Sequence, residues 1–246
     1  MFYIYGDYYL LTAGHLLSIE NFKKGLVLNL TGFTNINLKG TLCTTYLDSS
    51  SNNGKIDVSV LKLSNEIKQF LLINKQKALI PSATWVNHQL MNKPDYIISG
   101  FPLTNLKKGL KKKLVKPQSL LTFPFHPKYY NKWGFNYESH LLIRISKKGV
   151  KFGGVKETYL SSLTGMSGSG LWFVPDWNTN FHKRKLTRYK LIGVLIEDYM
   201  DKGFVASVRI DLFFYLIKHK LGKPNLPYPV IDYSKYFTKV YQQTLI

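Results

Sequence analysis

Short apolar runs, separated by Gly, Asp, Asn and Pro, follow one another along most of the chain. The first, FYIYGDYYLLTAGH at 2–15, holds two β-rich halves around Gly6 and Asp7, which predicts a hairpin. Further runs at 25–30, 40–47, 57–63, 95–101, 139–145, 170–174, 190–197 and 203–210 read as strands. Their spacing and the turn residues between them predict an antiparallel, all-β protein of barrel or sandwich type. A helix is predicted over 211–220, DLFFYLIKHK, with Asp211 to cap its start and Gly222 and Pro224 to stop it. Shorter helical turns are expected after His15 and around 65–73.

Residues 81–95, PSATWVNHQLMNKPD, lack a clean period and separate two β-rich halves, which places a boundary there. The expected organisation is an N-terminal domain at 1–92, a second at 93–221, and an extension at 222–246 that carries four tyrosines. A 246-residue chain that is 45% hydrophobic, with 17 Tyr and 15 Phe, has enough apolar surface for a large core and is neither disordered nor fibrous. Its apolar stretches, such as LFFYLI at 212–217, fall far short of the roughly 20 residues a membrane-crossing helix needs. No basic n-region or cleavage site follows Met1, and the single cysteine, Cys43, has no internal partner. Both features lead to the expectation of a cytoplasmic protein.

The formal net charge is +20, concentrated in LKKGLKKKLVK at 106–116 and HKRKLTRYK at 182–190. Such runs make an anionic partner, nucleic acid or an anionic membrane, a candidate. No helix-turn-helix, zinc-finger or RNA-binding-sheet signature accompanies them, and lysine runs flanked by Gly and Pro also read simply as solvated loops. His88, His126, His140, His182 and His219 show no metal-ligand spacing, so neither a metal nor another cofactor is expected.

Three segments carry candidate chemistry. His15 follows a strand within LLTAGHLL, Asp57 opens the alternating stretch DVSVLKL, and Ser167 sits inside GMSGSG. A serine hydroxyl is a poor nucleophile at neutral pH unless a neutral imidazole removes its proton, and a carboxylate can orient that imidazole. Taken singly, each residue has an ordinary structural reading: a strand-end histidine, a strand-start aspartate and a loop hydroxyl. Asp48 is set aside because polar loop residues follow it, and Ser169 because no glycine lies two positions before it. Cys43, in an alternating stretch, reads as a small core residue.

Taken together, TAGH at 12–15, DVSVL at 57–61 and GMSGS at 165–169 stand in the order His, Asp, Ser. The sequence resembles the chymotrypsin/trypsin-like serine peptidases, whose corresponding motifs read T-A-A-H, D-[IV]-A-[LV]-L and G-D-S-G-G. SGFP at 99–102 and LIGVLIE at 191–197 extend the resemblance to bacterial members without disulfides, over residues 1 to 221. It implies two six-stranded antiparallel Greek-key β-barrels with a C-terminal helix, and an active site between the barrels. It also implies a serine endopeptidase with His15 as base, Asp57 as its orienting acid and Ser167 as nucleophile. The amides of Gly165 and Ser167 would form the oxyanion hole, and limited protein or peptide substrates are expected, in a microbial stress or defence pathway.

The departures from the family pattern are informative. Met166 stands where relatives carry the aspartate that pairs with a newly cut N-terminus, and only 14 residues precede His15, so activation by that ion pair is not expected. The short N-terminus also leaves little room for the usual first strand. Ser161, at the floor of the primary specificity pocket, offers no charge there. Ile196, Glu197 and Asp198 replace the Ser-Trp-Gly that often flanks the substrate, and the two acids suggest basic or polar substrate residues. The competing reading is a non-catalytic protein- or nucleic-acid-binding module on a peptidase scaffold.

Overall fold

The first hairpin closes as tightly as the sequence predicts. β1 (Phe2–Ile4) and β2 (Asp7–Thr12) pair with Ile4 opposite Asp7. The two residues between them, Tyr5 and Gly6, both take positive φ, 44° and 85°. That left-handed pair matches the twist of the flanking strands, and Gly6 adopts it without a Cβ penalty.

The computed structural model describes residues 1–29, 35–47, 56–91, 96–100, 118–145, 148–150, 157–159, 163, 165–175, 189–224, 226, 232–237 and 239–245. After β2, a helical turn at Gly14–Leu16 leads into α1 (Ile19–Lys23), whose N-cap Ser18 accepts the Asn21 N–H. β3 (Val27–Asn29) and β4 (Asn35–Asn37) form a separate ribbon. β5 (Gly40–Thr44) and β6 (Ser59–Leu63) follow, then α2 (Asn65–Ile73), capped by Ser64.

The next eight strands are β7 (Tyr96–Gly100), β8 (Gln118–Pro124), β9 (His140–Arg144), β10 (Lys148–Val150), β11 (Glu157–Tyr159), β12 (Gly170–Phe173), β13 (Lys190–Tyr199) and β14 (Phe204–Arg209). Six of them close an antiparallel barrel in the order β12-β13-β14-β9-β8-β7, while among the described residues β10 and β11 pair with each other alone. Tyr96, Ile98, Leu141, Ile143, Leu171 and Val205 fill its core. Leu191–Ile196 and all of β14 are buried in unbroken runs, so these strands are covered on both faces, which explains why their sequences are continuously apolar. Each fully buried Leu, Ile or Phe contributes about 1.5–3 kcal/mol.

The chain ends with α3 (Ile210–His219) and β15 (Tyr241–Leu245). By contact density it divides into one unit of Met1–Ala83 with Asp211–Ile246, and another of Thr84–Ile210. The first unit therefore takes in most of α3 and the tail. Its sheet runs β1-β2-β6-β5-β15, the C-terminal strand pairing antiparallel with β5. Leu42, Leu61, Phe22, Ile67 and Leu71 form its core.

The protein is thus mostly β with one closed six-stranded antiparallel barrel, and in place of a second closed barrel the described residues of the first unit form an open five-stranded sheet. β1, with three residues, lies at one edge of that sheet and β15 at the other. Among the described residues no helix is long and apolar enough to cross a membrane.

Candidate active site

Asp57 reaches His15 because two buried hydroxyls fix the chain around it. Thr45 Oγ1 donates to the Ile56 carbonyl at 2.8 Å and accepts the Val58 N–H at 3.1 Å, gripping the backbone on both sides of Asp57. Ser59 Oγ donates to the Leu17 carbonyl at 2.8 Å, tying the start of β6 to the turn that carries His15. The Asp57 carboxylate then makes two bonds to one residue. Oδ1 accepts the His15 backbone N–H at 2.9 Å, and Oδ2 lies 2.6 Å from His15 Nδ1. The Asp57 side chain is 8% exposed and that of His15 34%. A carboxylate facing Nδ1 favours the tautomer with its proton there, which leaves Nε2 as the basic nitrogen.

Gly14 is part of this arrangement. A Cβ at that position would lie 2.7 Å from Tyr46 Cδ2, 2.8 Å from Asp57 Oδ1 and 3.0 Å from the Val58 nitrogen. The Tyr46 ring also meets the His15 ring edge-on at 6.4 Å between centroids. Tyr46 and Asp57 therefore leave no room for a side chain at Gly14. Thr45, Tyr46 and Ser59 were not singled out in the sequence. The signal for Ser59 is the hydroxyl at the third position of the D-V-S-V-L motif.

Ser167 is held by backbone geometry. Gly165 and Gly168 on either side take φ of 87° and 82°, a conformation that strains any other L-residue. Gly168 N–H donates to the Leu195 carbonyl at 2.8 Å, and Leu195 N–H returns a bond to the Ser169 carbonyl at 2.8 Å, pinning the turn to β13. Neither the Gly165 nor the Ser167 amide donates to a described residue. Ser167 Oγ donates to the Ile196 carbonyl at 3.2 Å. Ser169 packs where a Cβ on Gly100 would collide with its hydroxyl, so the glycine of SGFP makes room for Ser169.

Met166 is 2% exposed and packs in the barrel core with Leu163 and Leu195. An apolar side chain there needs no ion-pair partner. The same residues, with Val205, form the apolar wall of a small, water-sized cavity, partly open to solvent, that Ser167, Glu197 and Asp198 also line. Both acids are exposed, and Tyr199 Oη donates to Glu197. Cys43 is fully buried and its thiol is pushed up to about 11 by burial, which suits a core residue and not a nucleophile.

The structure thus brings His15 and Asp57 together in the first unit, and Gly165, Ser167, Ile196, Glu197 and Asp198 together in the second. Ser161, residues 106–116 and residues 182–188 lie outside the described residues, as do Asp48 and the Phe-Pro of SGFP. The chain matches no known family model and no curated protein.

Proposed function

We propose that the chain is a chymotrypsin-like serine endopeptidase acting in the cytoplasm on a limited set of protein substrates. The observation that carries this reading is the bidentate hold of Asp57 on His15, through Nδ1 and the backbone N–H together. That pairing fixes both the tautomer and the orientation of an imidazole that is still part-exposed to act as a base.

In the proposed reaction Ser167 Oγ turns from the Ile196 carbonyl and attacks the scissile carbonyl carbon while His15 Nε2 takes its proton. Asp57 stays ionised and stabilises the imidazolium. The Gly165 and Ser167 amides donate to the oxyanion, a role supported by the glycine-framed turn that presents them. Collapse of the intermediate passes the His15 proton to the leaving amine and leaves an ester on Ser167. Water then attacks the ester as His15 takes its proton, and collapse of the second intermediate passes that proton to Ser167 Oγ, releasing the acid product and free Ser167.

The cavity beside Ser167 is the candidate primary specificity pocket. Its apolar wall and two carboxylates favour a basic or polar residue at the cut. Hydrolysis of a peptide library by the wild type, absent in Ser167→Ala, is the expected result, with Lys, Arg or polar residues enriched next to the cut. No Ser167-dependent cleavage overturns the peptidase in favour of the binding module, and enrichment of acidic residues overturns the specificity.

A further inference from the structure

A second surface of the barrel unit, built apart from the serine turn, alternates cations with aromatic rings. It gathers residues from the end of β8, the helical turns at Pro127–Tyr129 and Asn131–Trp133, the end of β9 and the β13–β14 turn. Phe204, fully buried, is its foundation: Phe125, Trp133 and Tyr199 pack on it at centroid distances of 5.5, 5.7 and 4.8 Å, and Tyr129 continues the layer from Phe125 at 5.2 Å.

Over this layer stand four exposed cations. Lys128 lies 5.0 Å from the Tyr129 ring and Lys132 5.3 Å from Trp133. Lys202 is 5.0 Å from both Trp133 and Tyr199, and the Arg144 guanidinium is 5.6 Å from Phe125. Arg144 pairs across the strands with Phe123, whose side chain is 48% exposed. The carboxylates on the same hairpin are Glu197, Asp198 and Asp201, and Glu197 is engaged by Tyr199. Asp198 lines the Ser167 cavity.

We propose that this surface binds single-stranded nucleic acid, with bases stacking on Phe123 and the ring layer and phosphates paired to Lys128, Lys132, Arg144 and Lys202. Three features favour that ligand over a lipid headgroup or an acidic peptide. Rings and cations alternate, each cation 5.0–5.6 Å from a ring centroid, and every base has a π-face for stacking. Apart from Phe123 and the buried Phe204, the rings are part-buried and inclined to one another, and do not project as membrane wedges would. The whole chain carries a net charge of +20, which draws a polyanion to any such platform. The proposal is independent of the peptidase reading.

The test uses the full chain and fluorescence anisotropy of labelled single strands of about 12 nucleotides, one oligouridine and one oligothymidine, across a salt series. Each neutralised phosphate contributes a slope of about −0.7 in log K against log salt on a single strand. The combined Lys128→Gln, Lys132→Gln and Lys202→Gln variant is therefore expected to lose about 2 units of slope on either strand. Phe123→Ser, at a half-exposed ring, is expected to weaken binding at least about fivefold at a temperature where its melting curve shows the chain folded. An unchanged slope and unchanged affinity in these variants overturn the proposal and leave binding to charge elsewhere in the chain. Capture by anionic phospholipid vesicles with no binding of either oligonucleotide overturns it as well.

Discussion

The two groups of candidate catalytic residues are held in place by different physics. His15 and Asp57, 42 positions apart, are joined by side-chain bonds and by hydroxyl clamps from Thr45 and Ser59. Ser167 is aimed by a local turn whose glycines set the backbone and whose bonds to β13 are main chain to main chain. The first arrangement depends on which atoms occupy a small volume, and the second on which φ values are accessible. The first should therefore respond to added or deleted atoms, and the second to changes in backbone freedom.

The largest expected effects fall on the residues that would perform the chemistry. Ser167→Ala and His15→Ala should each lower kcat by about 10⁶-fold, and Asp57→Asn by about 10⁴-fold with geometry retained, measured on a cleaved peptide. A raised KM with kcat unchanged would argue instead for a binding defect.

The two units should also part company in acid. His88 is 1% exposed, bonded through Nε2 to Tyr96 Oη at 3.0 Å, and Tyr96 Oη in turn accepts the Met91 N–H at 2.7 Å. Burial, reinforced by the charge of Arg209, pushes this imidazole down from 6.5 to about 4. The unfolded chain therefore takes up the proton first, and stability falls as pH drops from 6.5 towards 4, by about 3 kcal/mol in all, then levels off below. In the first unit, burial would raise the Asp7 carboxyl, but bonds from Lys223 at 2.8 Å and Lys62 at 3.1 Å outweigh it and hold the group below its ordinary 3.8. Its contribution is intact above that value and is lost only as pH falls through the lower folded value. Trp85, Trp133, Trp172 and Trp177 all fall within 84–210, so tryptophan fluorescence follows that unit alone. Its urea midpoint should drop between pH 6.5 and 4, and His88→Gln should flatten the drop.

A smaller effect tests the close packing around Asp57. Gly14→Ala places a methyl against Tyr46 and the Asp57 carboxylate, and should lower kcat by about 10- to 100-fold with little change in KM. An unaltered kcat would mean that this contact does not position Asp57. The smallest is Lys223→Ala: removing one of two lysines from a partly exposed carboxylate should cost no more than about 1 kcal/mol, less at high salt.

The same contrast explains what could be read from the sequence. Strand runs such as 139–145 and 203–210 lie within a residue of β9 and β14, because β-branched and apolar residues between turn formers admit few alternatives. β8 was not foreseen: QSLLTFP has no alternation and follows a lysine-rich stretch. Nor was β15, since YQQTL is a part-exposed edge strand whose burial comes from pairing with β5. The local turn around Ser167 could be recognised from its glycines. The roles of Gly14, Tyr46, Thr45 and Ser59 could not, because they arise from contacts made only when residues far apart in the chain meet.

The most direct test of the central claim is labelling with a serine-reactive fluorophosphonate, with the modified residue located by mass spectrometry. The account predicts a single adduct on Ser167, lost in Ser167→Ala and slowed by at least about 10³-fold in His15→Ala. Labelling that is absent from the wild type, or that persists in Ser167→Ala at the wild-type rate, would contradict it.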